Sequence, residues 1–234
     1  MEDDTSYAEH MKYIAQEMRK AAPNIQQIKV RMRRTLLQRT ADMTKATEHV
    51  MEQFPFLGNP ILLRHEMMLR HGIDVTNLTT ELEGVAHNII KAMREKKDPK
   101  PVSRTLLDDS DEAGMKNAAL LLLPSLFRED SNFIYCIEEP VSPNPTIVFH
   151  GSLNALKAEN ISIHLDGKTI VKAKLSIPES IECLFCVYFL FNVSYPTPIV
   201  NTLTFIEKFL LKLPNNTKIP LPVLKMHNQL MSYN

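Results

Sequence analysis

The stretch Ile181–Pro196, "IECLFCVYFLFNVSYP", is the most apolar run of the chain, and it carries two cysteines three positions apart. Such a run suits a redox or metal site, a membrane segment or a protein core. A reactive Cys-x-x-Cys normally has a cysteine at a helix N-terminus, where the thiolate is stabilised. Here Ser176 and Pro178 predict a helix that starts near residue 178, so Cys183 and Cys186 fall in its interior. We therefore interpret both as small core residues with buried, unreactive thiols.

The sequence around the cysteines predicts neither a metal site nor a membrane-spanning helix. A structural zinc site needs four ligands, and Cys136 is the third and last cysteine of the sequence. The unbroken apolar run from Cys183 to Phe191 is far shorter than the roughly twenty residues that a membrane-spanning helix needs. Three cysteines are also too few for a disulfide framework, which fits a reducing compartment. We expect no metal, no cofactor and no transmembrane segment.

Length and charge exclude some classes of protein. The 234 residues are 44% hydrophobic, which is enough for one large or two small globular domains with a real core. Lys and Arg together number 27, as do Asp and Glu, so no net field draws the chain to nucleic acid, a membrane surface or an acidic partner. The start "MEDDTSYAEH" lacks the basic and apolar regions of a secretory signal. We expect a cytoplasmic or nuclear protein that is not secreted.

Residues 1–98 predict an N-terminal helical bundle. Apolar residues recur at helical spacing in five segments, and proline, glycine or a cationic run ends four of them. The fourth segment has the clearest boundaries, because Asn59 is placed to cap it, Pro60 to occupy its first position and Gly72 to close it. In the fifth segment a single apolar face runs from Leu78 to Met93, which predicts one continuous helix.

A linker and an α+β domain are predicted for the rest of the chain. Residues 99–110 contain prolines and an acidic cluster, which indicates a linker, and the domain then covers residues 111–234. We expect Pro124 to stop a short buried helix. The runs "FIYCIEE", "TIVFHG" and "ISIHLDGKTIVKAKL" have strand character, and the Asp166-Gly167 pair predicts a hairpin because a type I′ turn needs positive φ at both central residues.

The predicted fold class is therefore α+β and predominantly α. An N-terminal helical bundle is followed by a small antiparallel sheet packed with helices. Two of those helices follow the Ile181–Pro196 stretch, in "PIVNTLTFIEKFLLKL" and "PLPVLKMHNQL", and proline introduces each of them.

A basic helix over residues 25–39 is the candidate nucleic-acid contact. Its cations are Lys29, Arg31, Arg33, Arg34 and Arg39, with no acidic residue among them. Such a helix can contact phosphates. At about 100° per residue, however, these side chains form a collar around the helix rather than a narrow strip, and no interleaved aromatic residue offers a base-stacking platform. A solvated face is the favoured interpretation, and nucleic-acid contact is the alternative.

No catalytic constellation is visible in the sequence. There is no glycine-rich phosphate loop and no nucleophile elbow, and the pair Asp108-Asp109 lies in the predicted linker. His65 and His71 both lie within "RHEMMLRH". A spacing of six places them on nearly opposite sides of a helix, so we interpret them as surface histidines rather than metal ligands. We predict no catalytic, cofactor-binding or metal residues and no small-molecule ligand.

Several segments in order resemble a known family. They are "IKVRMRRTLLQRT", "MEQFPFLGNPILLRHEM", "LLLLPSLFRED" and "LFCVYFLFNVSYPTPIVNTLTFIEKFLLKL". They are similar to the C-terminal region of the sterile alpha motif domain-containing protein 3 family and its uncharacterised fish relatives, over roughly residues 7–231. The most specific element is a helix, Asn-x-x-Tyr-Pro and a second helix. The resemblance implies no activity, cofactor or catalytic residue. It implies that the sterile alpha motif, a helical interaction domain, would lie upstream of the matching region.

These observations favour a non-enzymatic intracellular protein that acts as a protein-interaction or scaffold module for a protein partner. The first alternative is a nucleic-acid-binding protein, domesticated from a mobile element, that uses the basic helix 25–39. The second alternative is an enzyme without a recognisable motif, which a deep polar pocket lined by groups with shifted pKa would support.

Overall fold

In the computed structural model, the described residues are 4–96, 114–137, 140, 142–150, 160–214 and 217–233. They form an α+β fold that is predominantly helical, as predicted. The helices are α1 (Asp4–Glu17), α2 (Ile25–Arg34), α3 (Leu36–Asp42), α4 (Thr47–Gln53), α5 (Pro60–His71), α6 (Leu78–Glu83), α7 (Ala86–Arg94), α8 (Met115–Phe127), α9 (Ile177–Leu190), α10 (Val200–Phe205) and α11 (Leu221–Met231). The strands are β1 (Tyr135–Cys136), β2 (Thr146–His150), β3 (Asn160–Leu165) and β4 (Lys168–Ala173).

Short 3-10 turns and one π turn complete the described structure. The 3-10 turns cover Pro55–Gly58, Ser131–Phe133 and Thr197–Ile199. The π turn covers Ile206–Leu210 and continues directly from α10. A π turn leaves the regular i to i−4 pattern and is frequently found at functional sites.

The boundaries of α5 follow the sequence closely. The Asn59 side chain accepts hydrogen bonds from the backbone N–H groups of Ile61 at 3.0 Å and Leu62 at 3.3 Å, which satisfies two donors of the first turn. At the other end Gly72 has φ +66°, the left-handed conformation that glycine adopts without a steric penalty. The predicted cap and stop are both confirmed.

Two predicted helices are each divided in the structure. The basic segment 25–39 breaks at Thr35, whose hydroxyl donates to the carbonyl oxygen of Arg31 at 2.9 Å. Within the predicted helix Leu78–Met93, the chain turns at Gly84, a poor helix former, so that α6 and α7 replace one continuous helix.

Pro124 lies inside α8 rather than at its end, so the predicted stop is wrong. A proline has no N–H group for the carbonyl four residues earlier, here that of Leu120. The Tyr135 hydroxyl donates to the Leu121 carbonyl oxygen and lies 3.4 Å from that of Leu120, so its single proton partly replaces the missing donor. A side chain from the following strand therefore allows α8 to continue to Phe127.

The sheet has the order β1-β2-β3-β4. Strands β2, β3 and β4 pair antiparallel, and the β3–β4 turn has φ +52° at Asp166 and +71° at Gly167, which confirms the predicted hairpin. Strand β1 pairs in parallel with β2, so the sheet is mixed rather than wholly antiparallel. A two-residue strand is too short to show a period, and its orientation therefore cannot be seen in the sequence.

Helix α9 begins with a complete capping box. Ser176 Oγ accepts from the Glu179 N–H at 3.3 Å, and the Glu179 carboxylate accepts from the Ser176 N–H at 2.9 Å. The helix packs against α5 on one side and against β2 and β3 on another. One hydrophobic cluster runs from Ile14 in α1 to Leu230 in α11. The predicted linker 99–110 lies outside the described residues, and the division at that point stays a prediction.

Candidate functional site

The five cations predicted on the basic segment have different environments. Arg33 and Arg34 are exposed, and Lys29 is half-buried. The Arg31 guanidinium lies 3.8 Å from the centre of the Tyr13 ring, and its Nη1 is 2.6 Å from Nδ1 of His10. Arg31 thus packs against α1, and its charge is engaged within the molecule.

Arg39 departs from the sequence-based interpretation, because it lies in the interior with a side chain 1% exposed. Its Nη2 donates to Glu66 Oε2 at 2.6 Å, and its Nη1 donates to the Met32 carbonyl oxygen at 2.7 Å and to Thr35 Oγ1. The other oxygen of Glu66 accepts from Arg70 Nε at 2.7 Å. Arg39 is therefore removed from the set of candidate phosphate contacts. Its partner lies 27 positions away, and nothing in the basic segment itself indicates that contact.

Helices α2 and α5 form a mixed apolar and basic surface, which we call the α2–α5 surface. It consists of Gln26, Lys29, Val30 and Arg33 from α2 with Ile61, His65 and Met68 from α5. The three α5 residues share a helical face. His65 Nε2 lies 3.4 Å from the Lys29 carbonyl oxygen, and a groove of about 140 Å³ separates the two helices there.

The α2–α5 surface exposes apolar area and positive charge together. Val30 is 47% exposed, Ile61 45% and Met68 38%. Helix α2 contains no acidic residue, and the acid of α5, Glu66, is buried against two arginines. Sequence analysis identified the cations but not the apolar residues beside them, because the packing of α2 on α5 brings the two sets together.

A larger pocket of about 420 Å³ lies where the Ile181–Pro196 stretch leaves α9. Its lining consists of His71, Tyr188, Phe189, Asn192, Val193, Ser194, Tyr195, Val200 and Glu207. Asn192 has φ +51°, a conformation that asparagine tolerates better than most residues, and it turns the chain out of α9. The Asn-x-x-Tyr-Pro segment, interpreted from sequence only as a family fingerprint, therefore forms much of this pocket.

Aromatic rings form the walls of the pocket. The rings of Tyr188 and Tyr195 lie 5.0 Å apart at an interplanar angle of 89°, and those of His71 and Phe189 lie 6.0 Å apart at 77°. Tyr188 directs its hydroxyl at the Pro145 carbonyl oxygen, 3.4 Å away. The pocket is thus mainly lined by ring surfaces on this side.

Tyr195, Glu207 and His71 are titratable residues that line the pocket. Burial and the neighbouring Glu207 carboxylate raise the pKa of Tyr195. Burial and the nearby Arg70 charge lower the pKa of His71 below its ordinary value of 6.5, so its imidazole is neutral at pH 7. The raised pKa of the Tyr195 phenol is far from neutral pH, whereas an efficient general acid has a pKa near the pH at which it works. These shifts fit a binding pocket better than a proton-transfer site.

Ser162 lies between two histidines on the sheet. Its Oγ is 2.7 Å from His150 Nε2 and 2.8 Å from His164 Nε2. A hydroxyl donates one hydrogen bond and accepts others, so one imidazole receives the Ser162 proton and the other donates from Nε2. Ser162 is fully buried, which keeps its hydroxyl from a substrate and makes the cluster a cross-strand hydrogen-bond network.

The two cysteines of α9 are buried, as predicted. Burial raises the pKa of the Cys183 thiol to about 12 and raises that of Cys186 well above its ordinary value. Both sulfurs are thiols at neutral pH and therefore poor nucleophiles.

The described ranges of the chain contain neither a metal-binding cluster nor a membrane-spanning helix. No cluster of three or more His, Cys, Asp or Glu side chains in these ranges is arranged to hold a metal ion. None of the helices built from them is both long and apolar enough to cross a membrane.

Comparison with known proteins identifies a distant relative. Sterile alpha motif domain-containing protein 3 of Homo sapiens is 23% identical over 213 residues, which cover 87% of this chain and 41% of the human protein. The chain thus spans less than half of that relative's length. No family model matches the chain, and no solved structure does. The resemblance predicted from sequence is confirmed: this chain is similar, at low identity, to part of sterile alpha motif domain-containing protein 3.

Proposed function

We propose that the protein is a non-enzymatic interaction module that binds a protein partner through the α2–α5 surface. The observation that carries the proposal is that exposed Val30 lines a groove together with Lys29 and Arg33. Exposed Ile61 and Met68 lie on the α5 face that also carries His65 of the groove. Exposed apolar side chains grouped beside a groove and rimmed by polar groups are typical of interaction sites.

The chemistry of the α2–α5 surface favours one kind of partner, an acidic amphipathic helix. Its apolar face would occupy the groove between the helices, as in other helix-in-groove complexes. Its carboxylates would lie near Lys29 and Arg33, with Arg34 adjacent on α2, where no acidic side chain repels them.

Nucleic-acid binding is the second candidate function, since Arg33 and Arg34 are exposed on an acid-free helix. The structure supports this function less than the sequence did, because fewer than five of the predicted cations are available to phosphates. Arg39 is buried and Arg31 is stacked on Tyr13, which leaves Lys29, Arg33 and Arg34 to contact phosphates. Exposed Val30 and Ile61 beside them would gain nothing from a phosphate backbone.

The three cysteines support an intracellular location as part of this proposal. All are free thiols, which suits a reducing compartment.

A display library of amphipathic helical peptides tests the proposed function. The wild-type protein should select peptides with acidic residues beside an apolar stripe. The double variant Val30→Glu/Ile61→Glu should bind them at least about tenfold more weakly, because it places carboxylates in the groove. The matched control is Leu221→Glu, which adds the same charge at an exposed apolar residue of α11 and should leave binding unchanged. Failure to select any peptide, or equal binding by the double variant, would overturn the proposal.

A duplex titration tests the second candidate. If generic DNA and RNA duplexes bind no tighter than about 10⁻⁴ M at physiological salt, nucleic-acid binding is excluded. Tight, salt-dependent binding that Arg33→Ala/Arg34→Ala weakens and Ile61→Glu does not would replace the proposed function with the second candidate.

A further inference from the structure

The pocket of His71, Tyr188, Tyr195 and Glu207 is not needed for the proposed interaction. It combines aromatic walls, a buried carboxylate and a neutral histidine in a volume of about 420 Å³. We propose that it binds a methylated ammonium group, supplied either by a small choline-like molecule or by a methylated lysine side chain.

The aromatic rings are the first part of the argument. A methylated ammonium is attracted to the faces of Tyr and Phe rings, and aromatic cages that recognise such cations place several rings around one charge. Tyr188, which is 2% exposed, packs edge to face against Tyr195 and holds that ring in place. The half-buried rings of Tyr195 and Phe189 line the pocket. The Tyr188 hydroxyl donates to the Pro145 carbonyl oxygen at 3.4 Å, which fixes the ring against which Tyr195 packs.

Glu207 is the second part of the argument. It lies in the π turn Ile206–Leu210, lines the pocket and is 5% exposed, so its carboxylate is largely shielded from water and adds negative charge to the lining. Its Oε1 is 3.3 Å from the Lys208 ammonium, which partly neutralises it. The remaining attraction therefore comes in large part from the rings. That balance favours a weakly hydrated methylated ammonium over a metal ion or a primary amine, which lose more hydration energy on entry.

The third part concerns His71, which also lines the pocket. His71 is neutral at pH 7 because burial and the Arg70 charge lower its pKa. Arg70 itself donates to the buried Glu66 carboxylate. An anionic ligand would meet the Glu207 carboxylate, which lines the pocket, whereas the Lys208 ammonium is outside the lining, so phosphates and carboxylates fit this pocket poorly.

The discriminating experiment compares choline with 3,3-dimethylbutanol, which has the same shape but a carbon in place of the charged nitrogen. Binding is followed by NMR chemical shifts of the intact protein. We expect choline or a trimethyllysine peptide to shift signals of the pocket residues, and the uncharged alcohol to bind at least about tenfold more weakly. The tighter of the two cationic probes identifies the source of the ammonium group. Equal binding of the alcohol, or no binding of either cation at millimolar concentration, would overturn the inference.

Variants separate the ring and charge contributions. Tyr195→Phe keeps the ring and should retain binding, whereas Tyr195→Leu should lose it. Glu207→Gln should weaken choline binding, and Lys208→Gln should strengthen it several-fold by removing the cation that shares the carboxylate. Thermal melts establish whether each variant is folded. If Tyr195→Leu or Glu207→Gln does not fold, the choline affinities of Tyr195→Phe and Lys208→Gln test the inference. Ile61→Glu should leave choline binding unchanged, so failure here is distinguishable from failure of the proposed function.

Discussion

The interior around α5 and the interior around α9 are equally dry but are built from different chemistry. At α5 a carboxylate, Glu66, lies between the guanidinium groups of Arg39 and Arg70, and the Glu66 and Arg39 side chains are each 1% exposed. At α9 the consecutive residues Cys183, Leu184, Phe185 and Cys186 have no exposed area at all. The two helices pack directly on each other. Buried charges specify which partners must meet, whereas an apolar interior requires mainly that volume be filled.

The largest expected effect is the protection of the α9 cysteines from thiol labelling in the folded protein. In a Cys136→Ser variant, only Cys183 and Cys186 remain, and both are buried with raised pKa. Because they react only when the structure opens, maleimide incorporation should be at least about a thousandfold slower than in urea-unfolded protein. Mass spectrometry of timed samples measures both rates. Fast labelling of the folded variant would show that the α9 interior opens readily.

Glu66→Gln should cause the largest loss of stability among single substitutions. It keeps the side-chain shape but leaves the buried cations of Arg39 and Arg70 without a counter-charge, which costs about 3–5 kcal/mol. Urea denaturation gives the free energy of unfolding. Glu83→Gln, in the exposed pair with Lys116, is the matched control and should change it little. Equal effects of the two substitutions would mean that the buried network stabilises the fold no more than an exposed ion pair does.

Leu184→Ala should destabilise the apolar region by about 2–5 kcal/mol, because it removes a fully buried side chain and leaves a cavity. Its cost should be the same at low and high salt, since no charge is involved. Parallel urea titrations at two salt concentrations measure this. A salt-dependent cost would indicate that the α9 interior is coupled electrostatically to its charged neighbour.

The smallest expected effect concerns the cap of α9 and appears only in acid. The backbone N–H of Ser176 donates to the Glu179 carboxylate and lowers the pKa of that group below its ordinary value of 4.5. A lowered pKa stabilises the fold fully above 4.5, and this contribution is lost as the pH falls through the folded-state value. Glu179→Gln should therefore lose less stability than wild type between about pH 6 and pH 3. Identical pH profiles would show that the carboxylate charge is not used at the cap.

Local signals in the sequence predicted much of the fold. The Asn59 cap, the Gly72 stop, the Ser176 start and the Asp166-Gly167 turn each depend on a residue and its immediate neighbours, and all are present in the structure. The burial of Cys183 and Cys186 followed from their position within a helix. Such features need no knowledge of the rest of the chain.

The features that sequence reasoning missed depend on distant partners. Arg39 looks like a surface cation until Glu66, 27 residues later, is placed beside it. The ring pocket required the Tyr-Pro segment after α9 to meet Glu207 of the π turn, and neither residue signals the other. The exposure of Ile61 and Met68 in α5 depends on how the other helices pack around it, and the sequence pattern of α5 does not specify it. In each case tertiary packing, which no local pattern encodes, decided the outcome.

The contact between Tyr135 and α8 constrains the order in which two substitutions could be acquired. If Tyr135→Phe came first, the Leu121 and Leu120 carbonyl oxygens would lose the hydroxyl contact that partly replaces the N–H group missing at Pro124. If Pro124→Ala came first, the helix would recover its own N–H donor, and the later loss of the Tyr135 hydroxyl would cost little. A lineage can therefore leave this arrangement easily through the proline and only with difficulty through the tyrosine.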